Sequence, residues 1–187
     1  MEKPRLPPLD EADMSEAQRR VRDVIAAGPR GAVSGPFHAL LRSPELADRL
    51  QKVGAYVRYE SSLTPRLNEL AILVTARHWS AQYAWRAHRR FAEEAGLAPA
   101  IADAIAEGRR PQAMSAEEAA VVDFCKALHE TKGVGDETWN AALAHFGERG
   151  VIDLLGTCGY YTVVSMVLNA ARVPMPESIA PPLRPLG

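Results

Sequence analysis

The chain has 187 residues, 47% hydrophobic and 24% charged, a balance that suits a globular core and excludes a disordered polymer. Its 22 basic and 23 acidic residues leave a formal net charge of -1 with the signs interspersed, so no basic stripe exists to collect nucleic-acid phosphates. The two cysteines, Cys125 and Cys158, lie 33 positions apart, neither a disulfide framework nor a metal-ligand spacing, and read as small core hydrophobes.

Alternating strand patterns are nearly absent, whereas helical periodicity and helix punctuation recur, which predicts an all-α protein. Residues 1–12 form a Pro-rich extended arm with no apolar stretch of signal length. Ser15 and Gln18 spell a capping box, and the helix they open carries Val21, Val24 and Ile25 as a narrow stripe before Gly28-Pro29. Residues 28–36 read as a Gly/Pro loop. Ser43-Pro44 starts a helix to about Ser61, with Leu46, Leu50, Val53 and Val57 expected on its inner side. Thr64-Pro65 starts the next, Arg66 to about Arg77, which is apolar nearly all round after Glu69 and so belongs in the middle of a bundle.

A further helix spans about Ser80 to Ala95 and stops at Gly96, followed by a short one over 99–107. Ser115 and Glu118 cap a helix to about Thr131, Asp136–Phe146 forms another ending at Gly147, and 150–171 is long and mostly apolar before Pro174. Asp153, several glycines, Ser165 and Asn169 interrupt that last segment, making it a poor membrane span, and a cytoplasmic protein is expected. The tail 174–187 reads as a loose or docked arm. No composition break or internal repeat divides the chain, so one domain over 1–187 is expected.

Glu69 sits near the start of the most apolar helix. Buried there it must be protonated, paired or hydrogen-bonded; otherwise it is a half-solvated first-turn acid facing the helix dipole. His88 lies on the ridge Ala84, His88, Ala92 beside a second ridge Tyr83, Ala87, Phe91, Ala95, and so points inward. Alone it is an ordinary core histidine; paired with Glu69, each group would tune the other's protonation. The histidines form no metal-like cluster, and His38, His129 and His145 have no partner identifiable by spacing.

The text Arg-His-Trp-Ser-Ala-Gln-Tyr-Ala-Trp-Arg-Ala-His at 77–88, followed by Glu94-Ala95-Gly96-Leu97 and later Leu168-Asn169-Ala170, resembles the carboxymuconolactone decarboxylase/AhpD-like family over about residues 40–171. The glutamate and histidine of that family's redox motif fall on Glu69 and His88 with both spacings preserved, but its two cysteines fall on Ala81 and Ala84. Thiol peroxide reduction needs a thiolate and a resolving thiol, and alanine supplies neither. The glutamate that many cysteine-free relatives carry between the tyrosine and tryptophan is also replaced by Ala84.

The resemblance implies an AhpD-like helical bundle assembled as a homotrimer or homohexamer. The apolar surface of 150–171, more than one small bundle covers comfortably, points the same way. It also implies a carboxymuconolactone decarboxylase-like lyase of aromatic-compound catabolism, acting without cofactor or metal on a small carboxylated lactone or keto acid. Glu69 would be the proton donor, His88 would orient it or hold the enolate oxygen, and Arg77, His78, Tyr83 and Asn169 would be the substrate contacts. Bland alternatives stand beside these: Arg77 as a solvated helix-end residue, Asn169 as a structural cap, Tyr56, Tyr59, Tyr160 and Tyr161 as core aromatics, and the whole as a non-catalytic binding or structural oligomer.

Overall fold

The structure, a computed structural model, describes residues 3–175 and 182–185. Regular structure among these is entirely helical: a 3-10 turn at Glu11–Asp13, then α1 (Glu16–Ala27), α2 (Pro36–Leu40), α3 (Pro44–Tyr59), α4 (Pro65–His78), α5 (Gln82–Glu94), α6 (Pro99–Ala106), α7 (Ala116–Thr131) and α8 (Asp136–Ala170). Both capping boxes form as the sequence predicts, Ser15 with Gln18 and Ser115 with Glu118. Gly147, at φ 64°, breaks α8 into two helical segments.

α4 is the hub, packed by α5, α7 and α8 and touched by α3 and α6, and every residue from Leu67 to Arg77 is buried. Its end is a Schellman turn: Ala81 N–H bonds the Ala76 carbonyl and Ser80 N–H, at φ 47°, bonds that of Arg77. This turn sends α5 straight back along α4. The described part of the tail is docked, with Leu183 exchanging two hydrogen bonds with Gln82. Residues 1–2 of the predicted arm and 176–181 and 186–187 of the predicted tail lie outside the described residues.

Two sequence expectations need correction. The loop 28–36 is followed by a short helix, α2, whose start at Gly35 (φ 55°) lies against the Tyr83 ring, where a Cβ would come within 2.8 Å. In α3 the buried positions are Ala47, Gly54 and Val57, while Leu46 and Val53 are 48% and 47% exposed. Close packing, not hydrophobicity, chose the inner face: a Cβ at Gly54 would collide with the Tyr160 hydroxyl and the Arg30 guanidinium. Val24 in α1 is likewise exposed, leaving Val21 and Ile25 as the buried pair.

Two buried polar groups fasten α8 to this frame. Asn68 donates to the Val57 carbonyl at 2.8 Å and accepts from Thr157 at 2.9 Å, joining α3, α4 and α8. Asp153 accepts from the Ser62 amide (2.8 Å), the Ser62 hydroxyl (2.6 Å) and Tyr56 (2.9 Å). Burial pushes the Asp153 carboxyl up, but these bonds and the charge of Arg149 outweigh it and hold the group below the ordinary carboxylate range. Because the folded value is the lower one, the stabilisation is complete above the unfolded value of about 3.9 and is lost as pH falls through the folded value. Asp153→Asn is expected to destabilise the protein by about 1.5–3 kcal/mol near neutral pH. In urea titrations the gap to wild type should close progressively below about pH 4.

The outer face of α8 is apolar along Ile152, Gly156, Gly159, Val163 and Met166, all exposed. The helix is long and apolar enough to span a membrane, yet 56% of its most apolar stretch is buried inside the bundle.

Candidate active site

Glu69 is in the second turn of α4 and His88 in the second turn of α5 facing it, so the hairpin formed by the Schellman turn brings them together. His88 Nδ1 lies 2.7 Å from Glu69 Oε2, and the two residues are only 7% and 8% exposed. With Glu69 ionised Nδ1 is the donor of this bond, and with Glu69 protonated Nδ1 is the acceptor. Nε2 has no hydrogen-bond partner among the described residues, on a side chain that lines a cleft of about 510 Å³. The geometry holds the two groups in direct contact, as the expected division of labour between Glu69 and His88 requires.

Four elements wall the cleft besides α5: the 28–36 loop, α2, α3 and α8. Tyr161 stacks edge-on against His88 with ring centroids 4.8 Å apart. Burial raises its hydroxyl well above the ordinary tyrosine range, with Arg58 opposing and Glu69 reinforcing the shift, so it stays a neutral donor. Tyr160 is also raised, chiefly by burial, while accepting from Arg30 Nη2 at 3.3 Å.

Arg30 and Arg58 are the residues that sequence reasoning missed. Arg30 lies over the Phe37 ring at 4.8 Å, and Arg58 between Tyr59 and Phe91 at 5.0 and 5.1 Å, so aromatic faces fix both planes. Both line the cleft, and the buried Nε of each has no hydrogen-bond partner among the described residues. Two guanidiniums on the lining give this wall of the cleft a positive charge beside His88. The one trace in the sequence is Gly54, a helix-interior glycine whose missing side chain admits Arg30 and Tyr160.

Of the substrate contacts expected from the sequence, Tyr83 lines this cleft. Arg77 and His78 do not; they line a separate pocket, because α4 turns them away from the Glu69 face. Asn169 donates to the Trp79 carbonyl at 2.8 Å and so closes the C-terminus of α4. Ala81 is fully buried at the N-cap of α5, and Ala84 lines the cleft one turn before His88.

Residues 44–128 match the carboxymuconolactone decarboxylase family, and this segment runs from α3 to α7 and holds both members of the pair. Over that segment the chain is similar to the family. No curated protein matches its sequence significantly. Among solved structures, the chain is similar to a peroxidase-related protein from Silicibacter sp. TM1040, with TM-score 0.76, 16% identity and coverage of 95% of this chain and 96% of that one. A peroxidase-related AhpD-core protein from Ralstonia eutropha JMP134 gives TM-score 0.75 at 16% identity, covering 95% of each chain. The debrominase Bmp8 gives 0.70 at 12%, covering 92% of each. At such identities the three likenesses establish the AhpD-like fold alone.

Proposed function

We propose that the protein is a cofactor-independent carboxy-lyase acting on a small carboxylated lactone or keto acid. The observation that carries the reading is the 2.7 Å Glu69–His88 bond at a cleft also lined by two guanidiniums with spare donors. Arg30 and Arg58 hold the anionic substrate, one of them on a carboxylate that is retained and the other near the lactone or keto oxygen. The C–C bond to the departing carboxylate breaks, and its electron pair passes into the carbonyl system as carbon dioxide leaves. The guanidinium and the neutral Tyr161 hydroxyl stabilise the resulting enolate oxygen. His88, protonated at Nε2 and supported by the Glu69 charge, returns one proton to carbon and is reloaded from solvent. One proton is consumed for each carbon dioxide released.

The decisive experiment is turnover by the purified protein across a panel of carboxylated lactones and keto acids, followed by carbon dioxide release. At least one member should be consumed with one carbon dioxide per substrate, and a panel without any turnover would overturn the reading.

The exposed apolar line Ile152, Gly156, Gly159, Val163 and Met166 supports assembly as a homotrimer or homohexamer, in which a second copy covers this face. Light scattering at micromolar concentration should return three or six times 20.4 kDa; a monomer would contradict it.

A further inference from the structure

A second cluster lies where α4, α7 and α8 meet, away from the cleft. Cys125 of α7 and Cys158 of α8, though far apart in sequence, have Sγ atoms only 3.4 Å apart, both thiols are free, and neither residue is exposed. The neighbours are polar. His129, one turn after Cys125, has Nε2 3.0 Å from the Thr75 hydroxyl, which itself donates to the Ala71 carbonyl at 3.0 Å. His129 also stacks on His78 with centroids 4.8 Å apart and planes 16° apart, and the two rings wall a pocket of about 160 Å³.

That pocket is basic. Arg77, Arg109 and Lys126 line it, with Glu130 as the acid. Arg77 is 4% exposed and spends one nitrogen on the Arg184 carbonyl at 3.0 Å, while its Nε and Nη1 have no partner among the described residues. No residue lines both this pocket and the cleft of Glu69 and His88. A thiol pair used only for packing has no need of a histidine, a hydroxyl and a cationic pocket one side chain away.

We propose that Cys125 and Cys158 form a redox-active dithiol, which a small hydroperoxide entering by the basic pocket oxidises to a disulfide between α7 and α8. The hydrogen bond from Cys125, helped by His129 and Thr75 and opposed by burial, lowers the Cys158 thiol, while Cys125 is pushed up. Written with Cys158 as the attacking thiolate, Cys125, its sulfur 3.4 Å away, is the resolving thiol. Cys158 sulfur attacks the outer peroxide oxygen, the O–O bond breaks, and the alkoxide leaves as an alcohol with the proton that Cys158 gave up. Cys158 is then a sulfenic acid. Cys125 sulfur attacks it, the S–S bond forms, the S–O bond breaks, and water leaves with the Cys125 proton. Two thiols and one hydroperoxide become one disulfide, one alcohol and one water. The sulfurs already touch, so closing to the usual bond length of about 2.05 Å asks for a shift of little more than 1 Å.

The full-length reduced protein is treated with hydrogen peroxide or tert-butyl hydroperoxide, quenched, denatured and alkylated. The expected product has lost the mass of two hydrogens and both alkylatable thiols, with an unchanged far-UV circular dichroism spectrum. His129→Ala should oxidise at least about tenfold more slowly, whereas His145→Ala, at an exposed position, should keep the wild-type rate. The wild-type measurement needs no variant to fold. Two thiols still alkylatable in treated, folded protein would overturn the proposal. So would a disulfide that appears only at the rate of global unfolding, or a wild-type oxidation rate in His129→Ala.

Discussion

Turnover of the responding substrate is expected to fall by about 10²- to 10⁴-fold in His88→Ala, the range lost when a general acid is removed. Nδ1 of this ring is committed to Glu69, so Nε2 is its one titratable position toward the cleft, and no second histidine lines that cleft. Glu69→Gln should fall nearly as far although its shape is kept. A glutamine amide can donate to Nδ1, which moves the ring proton to Nε2 as a fixed N–H and removes the charge that supports the imidazolium. The double variant should lose little more than the worse single one, because the two residues act as a unit. His88→Ala also leaves a carboxylate, 8% exposed, without its partner, so thermal melts must accompany the kinetics. Wild-type turnover in folded protein carrying either substitution would remove the pair from the mechanism.

The second large effect is on substrate capture. Arg30→Gln and Arg58→Gln should each lower kcat/KM by about 10- to 100-fold, the worth of a hydrogen bond to a charged group, mainly through KM. A neutral methyl ester of the substrate's retained carboxylate should discriminate less between wild type and whichever variant has lost the contact to that group. Equal losses on acid and ester in both variants would show that the guanidiniums hold the walls of the cleft rather than the substrate. Arg30→Gln carries an added structural cost because it releases Tyr160.

Local rules carried the reading of the sequence a long way. Side-chain caps at Ser15, Thr64 and Ser115, the stop at Gly147, and the all-round apolar character of α4 are short-range properties, and each has its counterpart in the fold. The Glu69–His88 contact was legible for the same reason: two consecutive helices joined by a tight turn leave few other ways to face. What escaped depends on distant pairs. Leu46 and Val53 were placed inside because they are apolar, but the helix turns its small residues inward to admit Arg30 and Tyr160. Arg58 looks like an ordinary helix-end cation until Tyr59 and Phe91 are seen to sandwich it. Cys125 and Cys158, thirty-three positions apart on different helices, meet only once α7 and α8 pack.

The hydrogen bond from Arg30 to Tyr160 spans 130 residues, whereas that from His88 to Glu69 spans 19. In a chain whose loop-closure cost rises with separation, the hairpin of α4 and α5 has the head start in assembly, and the arginine wall waits for the last helix to arrive. A partly assembled molecule therefore joins Glu69 to His88 before Arg30 reaches Tyr160, and that side of the cleft is the last part of the polypeptide to close.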